Sequence, residues 1–200
     1  MTRPSKLVPV EPIAAASTSR RQLCRLLIWV TVALVAMSHS RVSAQPTTVS
    51  AVRAAFLYNF AKFAEWPADA LAPGQKLSLC VLGDNAVADA LEQTIKGHTI
   101  ENHELTVQVV RAGWPIPSCH LLYVGELDAK GAIQLIEALK GAPVLTVSDC
   151  DKFAELGGVA QLILESGRMR FAINVAAAQR ARLQLSSKLL SLAKIVKDER

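Results

Sequence analysis

Three acidic residues of this sequence stand where predicted strands end. Asp84, Glu126 and Asp149 each follow a short apolar run of strand length. Ligands of open α/β sheets bind at the carboxyl ends of the strands, and a pair of carboxylates there is suited to acid–base chemistry. We therefore treat these three residues as the candidate ligand-binding set. The alternative is that they are solvated acids, which also favour turns and helix starts.

Three histidines lie in the same part of the chain, but their spacing does not predict a metal site. His98 and His103 are five residues apart, which does not place two ligands on one helix face, and His120 lies farther along. No serine, threonine or cysteine lies in a recognisable catalytic motif. The glycine turn at 82–85 lacks the second and third glycines of a dinucleotide fingerprint. The sequence therefore predicts no enzyme, no cofactor and no metal.

Cys80, Cys119 and Cys150 allow three disulfide pairings. Cys80 lies within one predicted strand and Cys119 begins another, so they can meet if those strands are neighbours. A bond there would close a loop of about 40 residues and stabilise the fold by roughly 4 kcal/mol. The alternative is two buried thiols that pack as small apolar residues. Cys150 would then be a free thiol, and its flanking carboxylates should oppose formation of the thiolate.

The first 44 residues resemble an export signal. A basic segment precedes twelve apolar residues at 26–37, a run too short to cross a bilayer but typical of a signal peptide. Val42-Ser43-Ala44 suits a signal peptidase, which predicts cleavage after Ala44 and a periplasmic location. An uncleaved N-terminal anchor is the alternative. The pair Arg20-Arg21 leaves both the general and the twin-arginine export routes open.

The net charge of the chain belongs to this leader. Subtracting its six Lys/Arg from the 22 in the chain, and its one acid from the 17, leaves 16 of each in residues 45–200. The remaining chain is formally neutral, so the basic balance is no argument for nucleic-acid binding. Residues 45–200 are long enough for one domain. They contain no second apolar stretch long enough for a membrane span.

The elements that position these residues alternate between strands and helices. Apolar runs of strand length lie at 77–82, 105–110, 119–124, 143–147, 159–164 and 169–173. Helical periodicity lies at 50–65, 86–95, 129–140 and 175–196. The pattern predicts a single α/β domain with a mostly parallel sheet, flanking helices and a late antiparallel hairpin at Ser166-Gly167.

The first predicted helix is unusually rich in phenylalanine. Phe56, Phe60 and Phe63 recur with Val52 at spacings that place them on one face. Such a stripe either packs in the core or contacts another chain, and both interpretations stay open. We therefore treat the three phenylalanines as a candidate partner or dimer contact.

The sequence resembles the YfiR family of periplasmic regulators over roughly 51–196. The similar segments are AAFLYNFAKFAEWP (54–67), LCVLGD (79–84), CHLLYVG (119–125), PVLTVSD (143–149), FAELGGVAQLILESGRMRFAIN (153–174) and LQLSSKLLSLAKIV (183–196). The resemblance implies a dimerising periplasmic α/β domain without enzymatic activity. It also implies that Cys80 and Cys119 form a disulfide. Some relatives have a second cysteine pair, of which only Cys150 stands here.

The resemblance implies a regulatory function as well. The chain would bind the periplasmic sensor domain of an inner-membrane diguanylate cyclase and repress it, which lowers cyclic-di-GMP and biofilm formation. The alternative is a periplasmic small-molecule binding protein that uses the strand ends near Asp84, Glu126 and Asp149. A periplasmic hydrolase is disfavoured, because no catalytic motif is recognisable.

Overall fold

A computed structural model describes residues 48–111 and 119–198, so the predicted signal peptide and its cleavage site lie outside the described residues. The helices are α1 (Val49–Lys62), α2 (Asn85–Ile95), α3 (Ala129–Ala138), α4 (Val175–Arg180) and α5 (Ser187–Leu190). The strands are β1 (Ala64–Glu65), β2 (Leu77–Leu82), β3 (Thr99–Ile100), β4 (His103–Val110), β5 (Leu121–Val124), β6 (Leu145–Ser148), β7 (Ala160–Glu165), β8 (Arg168–Asn174), β9 (Gln184–Leu185) and β10 (Lys194–Val196).

Eight strands form one sheet in the order β10-β8-β7-β6-β5-β2-β4-β3. The pairs from β4 through β2, β5 and β6 to β7 are parallel, as is β8 with β10. The hairpin β7-β8 is antiparallel and turns at Ser166 and Gly167, both of which have positive φ. The predicted fold class, with its mostly parallel sheet and late hairpin, is confirmed.

Apolar side chains that point alternately to the two faces of the sheet form two separate apolar clusters. Leu77, Leu79 and Val81 of β2 point into the larger core, where α1, α2 and α4 pack, because successive strand residues face opposite sides of the sheet. Cys80 points the other way into a smaller cluster beneath α3. The cysteine that the sequence places inside a strand is therefore on the less covered face.

Of the predicted phenylalanine stripe of α1, only Phe60 is fully buried, whereas Phe56 and Phe63 are partly buried against the core. The buried residues of α1 are Ala54, Leu57, Phe60 and Ala61. Helix α1 packs against α2, and Phe60 packs its ring 5.1 Å from that of Phe171 on β8. The helix ends at Lys62, earlier than predicted, because Ala64 and Glu65 pair with β9 instead.

The prediction of one long C-terminal helix over 175–196 is wrong. Helix α4 ends at Arg180, where the N–H of Arg182 donates to Gln179 O at 2.9 Å and that of Leu183 donates to Ala178 O at 2.9 Å. These two bonds form a Schellman cap, with Arg182 at φ 58 in the position that glycine usually occupies. The chain then contributes β9, the short α5 and the sheet-edge strand β10.

Candidate functional site

The carboxyl ends of β2 and β5 meet at two glycines. Gly83 follows β2 with φ +81, and a Cβ there would lie 2.8 Å from the carbonyl oxygen of Gly125. Only glycine fits such a positive φ and so close a backbone approach. Asp84 comes next, and its Oδ1 accepts the N–H of Val87 at 3.0 Å to cap α2. The close turn therefore fixes the direction of the Asp84 carboxylate.

Asp149 reaches the same edge from β6. The hydroxyl of Ser148 donates to Val124 O at 2.7 Å and accepts the N–H of Cys150 at 3.1 Å. These bonds tie the loop after β6 to the end of β5. Asp149, between the two anchored residues, is held beside the end of the neighbouring strand.

Arg53 of α1 joins the two carboxylates. Its Nη1 lies 3.4 Å from Asp84 Oδ2, and its Nη2 donates to Asp149 Oδ2. All three side chains are only about one fifth to one quarter exposed. The two carboxylates thus share the guanidinium of Arg53. Its positive charge offsets part of their mutual repulsion, and the two bonds tie α1 to two loops of the sheet.

Tyr123 lies beneath this ion cluster. Its side chain is buried, and within the described residues neither its hydroxyl nor the Nε of Arg53 has a partner at hydrogen-bonding geometry. Burial, followed by the charge of Asp149, raises the pKa of Tyr123, so the phenol stays protonated. We call Arg53, Asp84, Tyr123 and Asp149 the carboxyl-edge cluster.

The structure thus brings together two of the three predicted ligand-binding acids. Glu126 lies apart, exposed and at φ 52 in the turn after β5. Arg53 and Tyr123 were missed by sequence reasoning. The available signal for Arg53 was a lone arginine in the first turns of a mostly apolar helix, combined with two acids at strand ends that need a counter-charge.

The phenylalanines of α1 are mostly core residues. Phe60 is 1% exposed, and the ring of Phe56 packs 5.7 Å from that of Phe171. Phe63 is half-buried, with the Nζ of Lys188 5.5 Å from its ring centroid. Phe60 therefore has almost no surface for another chain, whereas Phe56 and Phe63 keep part of theirs.

Cys80 and Cys119 are joined by a disulfide in the structure. Their Cα atoms are 5.8 Å apart, and the bond connects β2 to the residues just before its parallel neighbour β5. Cys150 is the free thiol among the described residues. Burial first, then Asp151, Asp128 and Asp149, raises its pKa, which agrees with the expected opposition to the thiolate.

His120 organises the opposite, amino edge of the sheet. Its Nδ1 accepts the N–H of Ser78 at 2.9 Å, and its Nε2 donates to Ala70 O at 3.0 Å. Trp66 donates its indole N–H to His120 O at 3.0 Å. These bonds hold residues 66–76, which connect β1 to β2 and which we call the amino-edge loop.

Two cavities lie away from the carboxyl-edge cluster. One, of about 400 Å³, lies between the amino-edge loop and the starts of β2 and β4, and includes Trp66 and His103 in its wall. The other, of about 290 Å³, lies between α3 and α4, with Lys140 and Arg180 at its rim. Neither Asp84 nor Asp149 lines either cavity.

Comparison with known protein families identifies a family for this chain. The model of the YfiR/HmsC-like family matches residues 50–194, which covers both edges of the sheet and the disulfide. Across residues 48–111 and 119–198, no group of three or more His, Cys, Asp or Glu is arranged to hold a metal ion. In the same part of the chain, no helix is long and apolar enough to cross a membrane.

Proposed function

The chain belongs to the YfiR/HmsC-like family, and on that premise we propose that it binds and represses an inner-membrane diguanylate cyclase. The family match over residues 50–194 is the observation that carries this proposal. The family is regulatory and non-catalytic, and its members act in the periplasm on diguanylate cyclase signalling. We propose in particular that repression acts through the periplasmic sensor domain of the cyclase.

The disulfide supports this assignment. Disulfides persist in oxidising compartments such as the periplasm and are rare in the cytosol. The Cys80–Cys119 bond joins two central strands of the sheet, so the fold depends on the chemistry of that compartment. A sensor domain on the outer face of the inner membrane would meet the protein there.

Repression would work through differential binding. A regulator shifts a two-state enzyme only by its preference for one state. Changing the ratio of inactive to active cyclase from 1:99 to 99:1 requires about 10⁴-fold tighter binding to the inactive state. The disulfide-bonded sheet favours the affinity that such binding needs, because little ordering entropy is lost when a pre-organised surface binds, and the selectivity must come from contacts made to the inactive state alone.

We further propose that the chain forms a homodimer, with the exposed parts of Phe56 and Phe63 in contact with the second copy or with the sensor domain. Phe60 takes no part in this contact, since it is 1% exposed. Phe63→Ala should then weaken self-association or sensor binding in light scattering and pull-down. Val109→Ala, at a 55% exposed position on β4, is the control and should change neither. Equal behaviour of the two variants would contradict this contact.

Gene deletion tests the regulatory proposal in cells. Removing the gene should raise cyclic-di-GMP and biofilm, and wild-type complementation should lower both again. Cys150→Ala should complement equally well, whereas the double variant Cys80→Ala/Cys119→Ala should complement poorly. Unchanged cyclic-di-GMP after deletion, in a strain that encodes a neighbouring membrane cyclase, would overturn the proposal.

A further inference from the structure

The amino-edge loop is held by two histidines that come from two different strands. His120, just before β5, bonds to Ala70 O through Nε2 at 3.0 Å. His103, the first residue of β4, donates from Nδ1 to Gln75 O at 2.7 Å. Each imidazole donates an N–H to a backbone carbonyl of the loop, and it can do so whether neutral or protonated, so any pH dependence must come from the other ring nitrogen.

The contacts of His120 require one neutral tautomer. A backbone carbonyl only accepts, so the proton lies on Nε2, and Nδ1 must be unprotonated to accept the N–H of Ser78 at 2.9 Å. A second proton on Nδ1 would face the Ser78 N–H, and two donors would then oppose each other. The side chain is 4% exposed, so water cannot relieve that conflict without local opening.

We propose that His120 is a proton-sensitive latch: the neutral imidazole fits between the N–H of Ser78 and the amino-edge loop, whereas a proton on Nδ1 breaks the bond to Ser78, and the loop that covers the ring opens so that water can solvate the imidazolium. Release would free Trp66, whose indole N–H donates to His120 O and whose ring packs edge-on, 6.0 Å from the imidazole. It would also widen the cavity of about 400 Å³ whose wall the loop shares with residues 100–103. This inference goes beyond the proposed repressor function and does not depend on it.

The charged groups around the loop favour the neutral imidazole or compensate one another. Lys76 pairs with Glu104 at 2.9 Å, and Asp69 pairs with Arg182 at 2.8 Å, all with exposed side chains. His103 is the titratable group whose charge acts on His120. Burial above all lowers the pKa of His120, the bond to Ala70 O raises it, and the charge of His103 lowers it further, with a net lowering.

The direction of this shift determines the pH window. A free imidazole has a pKa near 6.5, and the closed latch lowers the value for His120. Above about pH 6.5 the imidazole of His120 is neutral in both the closed and the open state, and the closed state has its full stability relative to the open one. As the pH falls below that value, only the open state takes up the proton. Opening should therefore become up to about tenfold more favourable per pH unit until the closed state also protonates.

Hydrogen exchange tests the latch in the protein as isolated from cells. The amides of Ala70, Leu71 and Gln75 are hydrogen-bonded within the loop and report its opening. After correction for intrinsic exchange, their protection should fall by up to about tenfold per pH unit below pH 6.5. Strand β5 should keep its protection over the same range. Loop protection that is independent of pH would overturn the latch.

Two variants and one titration separate the latch from general acid destabilisation. His120→Asn keeps an acceptor for the Ser78 N–H but cannot be protonated, so its loop exchange should be independent of pH even if the protein is less stable. His98→Asn is the matched control, since His98 is exposed and its ring packs against Tyr58 of α1, and it should keep the wild-type pH dependence. Titration of wild-type His120 by NMR should give a pKa below that of a free imidazole. Either a normal His120 titration or wild-type pH dependence in His120→Asn would contradict the proposal.

Discussion

The two edges of the central sheet are closed by different chemistry. At the carboxyl edge, Arg53 holds Asp84 and Asp149 through charge, above the buried phenol of Tyr123. At the amino edge, a neutral imidazole holds backbone groups, beside a covalent bond between neighbouring strands. One edge is thus closed by ion pairs that salt weakens, and the other by neutral and covalent links.

This contrast assigns different tasks to the two edges. The ion cluster ties the N-terminal helix to the sheet, so it acts on how α1 is placed. The imidazole and the disulfide act on the strand starts and on the amino-edge loop. Variants that affect one edge alone should therefore have separable effects.

The largest effect is expected from removing the disulfide. Cys80→Ala/Cys119→Ala should lower the free energy of unfolding by about 4 kcal/mol, because the bond closes a loop with a sequence separation of 39. Urea unfolding of the oxidised protein measures this difference. Cys150→Ala is the control and should change the unfolding free energy by less than about 1 kcal/mol. Equal stability of the double variant and the wild type would show that the amino edge does not depend on the covalent link.

Breaking the ion cluster should have the next largest effect. Arg53→Met leaves two partly buried carboxylates facing each other without a counter-charge, which should cost about 1–3 kcal/mol after allowance for their partial exposure. Arg182→Met removes the exposed pair with Asp69 and should change little. Chemical unfolding of both variants measures the difference. If Arg53→Met were no more destabilising than Arg182→Met, the carboxyl-edge cluster would not stabilise the fold.

The close approach of the two carboxyl-edge loops is tested by matched glycines. Gly83 and Gly74 both have φ +81, but only at Gly83 would a Cβ meet another atom, the carbonyl oxygen of Gly125. Gly83→Ala should therefore cost about 1–3 kcal/mol more than Gly74→Ala, which carries only the conformational strain. Thermal unfolding of the two variants gives the comparison. Equal melting temperatures would mean that the loops can separate at no cost.

The smallest effect is expected at Tyr123. Among the described residues, its buried hydroxyl has no partner at full hydrogen-bonding geometry, although the nearby carboxylate of Asp149 helps to raise its pKa, so Tyr123→Phe removes a poorly satisfied polar group and should be neutral or stabilising by up to about 1 kcal/mol. Tyr58→Phe, at a half-buried position on α1, is the control. A loss of more than about 1 kcal/mol in Tyr123→Phe, measured by urea unfolding, would show that the hydroxyl supports the ion cluster.

Local sequence patterns predicted the strands and the edge at which they end. Asp84 and Asp149 were placed at that edge because turn residues follow apolar runs. Their partner Arg53 was not identified, since an ion pair across 96 positions, from Arg53 to Asp149, has no local signature. The role of His120 was missed for the same reason, because its partners are backbone groups that every residue possesses.

The C-terminal segment was predicted wrongly because its sequence has helical periodicity, but strand pairing with distant segments determines its structure. Leu185, Leu189 and Leu192 recur at helical spacing, yet Leu189 is buried and Leu192 is 71% exposed. Backbone bonding decides the outcome: Ala64 pairs with Leu185, and β10 pairs with β8. The end of α4 has no glycine to signal it in the sequence, because Arg182 takes the left-handed position that glycine usually occupies. Tertiary pairing thus outweighs helix propensity here.

The central claim, that the protein represses a membrane diguanylate cyclase through its periplasmic sensor domain, is tested most directly by reconstitution. The neighbouring cyclase is placed in proteoliposomes, and the rate of cyclic-di-GMP synthesis is measured as the oxidised protein is added on the sensor side. We predict a saturable fall in the rate, which is absent for a cyclase that lacks its periplasmic domain. An unchanged rate for the intact cyclase, or an equal fall without the sensor domain, would contradict the account.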